Sequence, residues 1–454
     1  MSGGPIRILA LGLVVGCGLQ TSGVGDAGGD LRPEDRADVP PDAPSDEAED
    51  GGPDAFDGDE DGTGPDGPAD LPDAADVPWD APHDEGPADV WPDGWLVGWE
   101  RRVALTLDHG DIDEAMADFP VLVHLGSSVG READDVTFVF DELPTVADRR
   151  KLAVTTSDGV SPCAVEVERW DAAAREAWLW VRVPAVLPDS DTVLYLYFDG
   201  RQADNDADVG DPGTAAGQRV WTNGYRLVLH MQDGADESQV LDSSPHGNLG
   251  TRPTAGNPHQ VAEGRCGCAL RWDGAGDNEF VRVEDAPSLD LGSAFTAEVW
   301  AAYEKGRTPN DYERMLTKKA AYTDLDGWEF SLESGLDRYL TTRGSSAAGT
   351  SGIANVVASW AAGGWHHVAV FYEGARARAL VDGALQDDVA IRAVEDNGRP
   401  LLVGRYGGSV THRWFGLLDE IRLSDRVRSD AWIRASCESG RDDLVGFGLE
   451  ETRF

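Results

Sequence analysis

The chain contains no run of about 18 uncharged apolar residues, the length that a helix needs to cross a bilayer. Basic residues are scarce, 38 Lys and Arg against 83 Asp and Glu for a net charge of -45. With no basic patch to offset phosphate repulsion, nucleic acid is excluded as a partner. Cysteine is scarce too, five in 454 residues. Cys266-Gly267-Cys268 has no second close pair, whereas a closed structural zinc site needs four ligands. Two catalytic patterns are missing: His-Glu-x-x-His, and the Glu-x-Asp-x-Glu strand that would put carboxylates on one face for glycoside cleavage. These absences lead us to expect no catalytic residues.

What is abundant is acid, and it is unevenly placed. Between Thr21 and Trp95 there are 24 Asp or Glu and two Arg, so this stretch holds -22 of the charge, with 12 Pro and 12 Gly. Few branched apolar residues are available to offset about 1–2 kcal/mol per residue of backbone ordering. Quasi-repeats such as Ala69-Asp70-Leu71-Pro72-Asp73 and Ala75-Asp76-Val77-Pro78 set proline beside carboxylate, and like charges extend the chain. Residues 18–95 are expected to be a disordered linker. Its acids lack the fixed spacing of a calcium loop.

The start of the chain runs Arg7, an apolar stretch Ile8 to Val15, then Gly16-Cys17. This order, ending in Val14-Val15-Gly16-Cys17, resembles a bacterial lipoprotein signal with its lipobox over residues 1–17. The resemblance implies lipidation at Cys17, attachment to a lipid bilayer, and work outside the cytoplasm. Gly18 after the cysteine is compatible with delivery to the outer membrane or cell surface.

From residue 96 the composition is globular, and the remaining length favours two domains. In 96–222, period-two segments recur: Arg101 to Leu107, Phe119 to Leu125, Val136 to Phe140, Ala164 to Trp170, Ala177 to Val183 and Val193 to Phe198. They predict an all-β sandwich. Val165 and Val167 fall on an aliphatic face, and Glu166 and Glu168 on the other, which we expect to be solvated. The blocks Phe119-Pro120-Val121, Glu166 to Asp171 and Trp180-Val181-Arg182-Val183-Pro184 resemble the family called domain of unknown function 2341, which lends no site residues.

Residues 223–451 carry Phe295-Thr296-Ala297-Glu298-Val299-Trp300, Gly364-Trp365-His366-His367-Val368, Val381-Asp382-Gly383 and Gly416-Leu417-Leu418-Asp419-Glu420. In this order they resemble the laminin G-like branch of the concanavalin A-like jellyrolls. The resemblance implies non-catalytic recognition of glycan or of a surface protein at the cell envelope. A structural envelope role and a polysaccharide-cleaving enzyme are the alternatives. It also implies a structural calcium at a loop rim, with Asp242, Asp273, Asp277 and Asp419 as candidate ligands, and a disulfide from Cys437 to Cys266 or Cys268. His366 and His367 alternate faces and cannot jointly chelate one ion. By the same alternation Asp419 and Glu420 point opposite ways. Trp178 and Trp180 share a face and are expected to fill a core. Trp414, beside His412 and Arg413 in a loop-like stretch, is the candidate for an exposed binding contact.

Overall fold

The computed structural model describes residues 94–453 except 233, 275, 305–311, 321–323, 325, 334–337, 342–363, 392 and 408–411. Cys17 and almost all of the acidic linker lie outside the described residues. No helix among those described is long and apolar enough to cross a membrane.

The first sandwich follows from the alternation of its strands. A four-stranded sheet runs in the order Met116–Leu125, Glu176–Val186, Val165–Asp171, Val209–Gly210. Its inward residues, among them Val121, Val123, Val165, Val167, Leu179 and Val181, pack against Val103, Leu105, Val154, Leu194 and Leu196 of a five-stranded sheet. That second sheet runs Val445–Thr452, Arg101–Leu107, Thr192–Phe198, Leu152–Thr156, Pro162–Cys163. Val136 to Phe140 is not a strand. Asp135 accepts from both the amide and the hydroxyl of Thr137, which closes a turn, and a short helix, Val139–Glu142, follows.

The second sandwich has a seven-stranded sheet in the order Gln239–Val240, Gly250–Thr251, Val281–Val283, Leu401–Val403, Tyr312–Lys318, Trp328–Glu333, Arg338–Thr341. Its partner sheet runs His259–Val261, Ala269–Trp272, Gly416–Ser424, Ala294–Tyr303, Trp365–Glu373, Arg376–Val381, Ala384–Ala390, with Tyr225–Leu229 also paired to Gly416–Ser424. Trp272, Phe295, Val299, Phe330, Tyr372 and Leu418 fill the space between the two sheets.

The two sandwiches are not separable at residue 222. The last strand, Val445–Thr452, returns to the first sandwich and pairs antiparallel with Arg101–Leu107. The core of the first sandwich continues through Tyr225, Val228, Phe371, Trp432 and Ile433. Trp432 belongs to the helix Asp430–Gly440, capped by Ser429, whose hydroxyl accepts the Trp432 amide at 3.0 Å. Its ring meets Phe119 edge-on at 4.8 Å. Farther along, Ser439 Oγ accepts from the Leu122 amide at 2.8 Å, so the helix is bonded to the first sandwich as well as packed on it.

Candidate functional site

Between the sandwiches the outward face of the four-stranded sheet meets the outward face of the larger sheet, and both carry charge. Glu166 and Glu168 are buried there, so the expected solvated face is instead covered by the second sandwich. The strand Gly416–Ser424 contributes through a β-bulge. Its register to Ala294–Tyr303 slips, Glu420 has φ 50°, and Leu418 and Ile421 both stay in the core. The two residues between them, Asp419 and Glu420, therefore lie together on the outward side rather than pointing opposite ways.

His230 sits at the centre of this layer. Its Nδ1 is 2.5 Å from Glu420 Oε1 and its Nε2 is 3.1 Å from Glu166 Oε2. Glu166 also accepts from Trp221 Nε1 and Ser243 Oγ, each at 2.5 Å, and Glu168 Oε2 accepts from Trp180 Nε1 at 2.7 Å. Arg422 is paired with Glu420 and lies over the rings of Trp180 and Trp221 at 4.3 and 4.9 Å. Burial alone would strip the proton from His230, but the surrounding Glu420, Glu168 and Glu166 hold its pKa well above the usual value. Burial drives Asp419 up, helped by Glu420 and Glu168, although the Cys266 and Arg265 amides donate to it. Sequence reasoning missed His230 because it follows an ordinary apolar strand and belongs to no motif.

The calcium candidates do not converge. Asp242 is buried and saturated, accepting from the amides of Val228, Ser244 and Asn248 and from the Ser244 hydroxyl. Asp419 lies in the buried layer, while Asp273 and Asp277 are exposed on a turn. His366 and His367 face different partners: Asp382 at 2.7 Å and Glu298 at 3.5 Å. Trp178 and Trp180 are buried. The expected bridge from Cys437 is not formed. Cys437 and Cys266 are free buried thiols, and Cys266 Sγ is directed at Gly440 O, 4.0 Å away, rather than at the Cys437 sulfur.

The string Gly126-Ser127-Ser128-Val129-Gly130 has the spacing of a serine nucleophile elbow. It lies in a bend after a strand, with no helix directly behind it. Nearby His124 is oriented by Asp442 at 2.8 Å and stacked on Trp178, but its Nε2 is buried and makes no hydrogen bond to Ser128.

Trp414 is not an exposed contact. It is 1% exposed, packs in the core against Tyr303, and donates from Nε1 to Leu417 O at 3.2 Å. Its neighbour Phe415 is only partly buried: it packs against the edge of the same core, and its ring touches the turn at Gly274. That turn follows the strand Ala269–Trp272 and is built from below. Buried Glu279 accepts from the amides of Asp273 and Gly274 at 2.8 Å each, and Trp272 Nε1 donates to Glu279 O. Gly404, φ 76°, lets the loop cross close over Trp272, because a Cβ there would lie 2.1 Å from Nε1.

At this rim several polar groups meet. Arg413 reaches Gly276 O and lies 3.6 Å from Asp277, which is 70% exposed. Arg405 donates to Asp277 O and covers the Phe280 ring at 4.5 Å, while His259 stands 4.0 Å from the 47% exposed Asp273. The rim thus offers a partly exposed aromatic edge flanked by carboxylates, guanidinium groups and an imidazole. Loop character near Trp414 was legible in sequence; which of the two adjacent aromatics keeps an exposed edge was not.

Residues 274–434 match the laminin G model of the concanavalin A-like lectin/glucanases superfamily. No curated protein matches the chain. The binding domain of Paraclostridial Mosquitocidal Protein 1 is similar at TM-score 0.39 and 17% identity, over 48% of this chain and 52% of that one. Domain 4 of an extracellular arabinanase from Geobacillus stearothermophilus, solved with arabinotriose, is similar at TM-score 0.36 and 16% identity, over 46% of this chain and 96% of that one. The botulinum neurotoxin serotype D binding domain is similar at TM-score 0.38 and 11% identity, over 48% and 52%. This chain spans about half the length of the first and third of these, 52% of each. The paired sheets and the family match together identify the second sandwich as a concanavalin A-like jellyroll.

Proposed function

We propose that this chain is a non-catalytic, lipid-anchored recognition protein of the cell envelope whose jellyroll rim binds glycan. The observation that carries the reading is the rim itself, where Phe415 stands beside Gly274 with Asp273, Asp277, His259 and Arg413 around it. An aromatic surface stacks on the C–H face of a sugar ring, and carboxylates accept from its hydroxyls. The first sandwich covers the outward face of the larger sheet around Asp419, Glu420 and Arg422, so that part of the sheet is closed to a ligand. A lectin-type superfamily match over 274–434 agrees with this use. An acidic spacer between Cys17 and residue 96 would lift the rim away from the membrane.

Glycan-array profiling of the full chain, followed by calorimetry on the sugars retained, tests the reading. Phe415→Ala and Asp277→Ala are each expected to weaken binding at least about tenfold, or 1.4 kcal/mol, and Asp277→Ala should leave the melting temperature nearly unchanged. Trp414→Ala should instead destabilise the fold by about 3–5 kcal/mol. Capture of envelope proteins with no sugar retained would replace glycan by a protein partner, and release of reducing ends from polysaccharide would overturn the non-catalytic reading. For the anchor, Cys17→Ser is expected to move the chain from the detergent phase to the aqueous phase; a variant that stays with the membrane contradicts lipidation at Cys17.

A further inference from the structure

We infer that the buried layer between the sandwiches is a binding site for one divalent cation of the zinc class, ligated by His230 Nδ1, Glu168 and Glu420 Oε1. The ligand atoms of these three residues all lie within 4.8 Å of one another. They come from three separate stretches of chain: the first sandwich, the segment after Tyr225–Leu229, and the bulged strand of the jellyroll. An imidazole nitrogen with two carboxylates is a first-row transition-metal donor set, whereas calcium and magnesium take oxygen.

The surroundings are those of a supported metal ligand set. Glu166 faces His230 Nε2 at 3.1 Å and is itself held by Trp221 and Ser243. A carboxylate on the far nitrogen holds the ring with its proton there and turns Nδ1 toward Glu420 Oε1, 2.5 Å away, where an ion takes the place of the proton between them. Glu420 gives Oε2 to Arg422 and keeps Oε1 on the His230 side. Glu168 receives Trp180 on Oε2, but its Oε1 is buried with no hydrogen-bond partner. The Glu168 oxygen nearest His230 Nδ1 is Oε2, at 3.6 Å, while Oε1 lies against Gly267, φ 60°, where a Cβ would stand 2.5 Å from it. An unsatisfied buried carboxylate oxygen is costly, and a cation satisfies it.

Glu166, Glu168, Asp419 and Glu420 are all buried in this layer, and Arg422 is the permanent cation among them. An ion bound there replaces the proton between His230 Nδ1 and Glu420 Oε1, which passes to solvent. Because every ligand is buried, the ion is structural: it pins the strand that carries Glu168 to the strand that carries Glu420. The inference is independent of glycan binding at the rim.

The test uses the full chain, dialysed against excess calcium to clear weakly held ions from the acidic linker. Elemental analysis is expected to find about one zinc per chain, and a chelator should lower the melting temperature, with zinc restoring it. Cobalt(II) titration should give the visible bands of a nitrogen- and oxygen-ligated ion, with protons released. Glu168→Gln and the outer-shell Glu166→Gln should each weaken cobalt affinity by about 10–100-fold. Folded wild-type chain that holds no zinc after this treatment and gives no cobalt bands overturns the inference. So does equal binding by both Gln variants, which would assign the ion to the linker.

Discussion

A chain ended at Asp443 is expected to lose both sandwiches, although the deletion touches neither the jellyroll sheets nor the rim. Val445–Thr452 pairs with Arg101–Leu107 from Thr452 opposite Arg101 to Val445 opposite Leu107, with one register shift between Val103 and Leu105. Leu444 and Val445 are buried in the shared core, and Glu450 and Glu451 pair with Arg101 and Arg102. Removing the strand opens one row of backbone hydrogen-bonding groups and uncovers the core behind it. Because that core continues into Trp432 and Phe371, the loss reaches the second sandwich. We expect most of the roughly 5–15 kcal/mol of a domain's stability to disappear. The truncated chain should be digested throughout under limited proteolysis and show no cooperative melt. A protease-resistant jellyroll surviving from the truncated chain would show that the two sandwiches fold separately.

Arg422→Met is the second large effect. Met preserves the packing over Trp180 and Trp221 but takes the guanidinium from Glu420 and leaves it His230 alone in a layer closed to water. Removing one partner of a buried pair costs about 3–5 kcal/mol, because the other charge remains uncompensated. Adding Glu420→Gln to Arg422→Met should recover part of that loss, which a double-mutant cycle by denaturant unfolding measures. A single-variant cost below about 1 kcal/mol would be the value for a solvated surface pair and would contradict the buried layer.

The strands were legible because alternation is a local property, and both inward faces of the first sandwich follow from it. Alternation says which side a residue takes, not what covers that side. Glu166 and Glu168 were assigned to the right face, but their cover comes from His230 and Ser243, 64 and 77 positions after Glu166, and from Glu420, about 250 positions later in the chain. The bulge at Glu420 was hidden for a related reason, since a register slip belongs to a pair of strands and the Asp419-Glu420 doublet reads the same with or without it. Val445, Phe447 and Leu449 do alternate, with Gly446 and Gly448 between them. The returning strand thus left a signal, weakened by glycine's poor strand preference. At the rim, the loop near Trp414 could be read, while the burial of Trp414 depends on Tyr303 and Leu417 being there to receive it.

Hydrogen exchange on the full chain, with and without a saturating sugar from the array, tests glycan recognition at the rim most directly. The account predicts added protection around Asp273, Asp277 and Phe415, with the first sandwich and the seven-stranded sheet unchanged. Protection centred on either of those surfaces, with the rim unaffected, would contradict it.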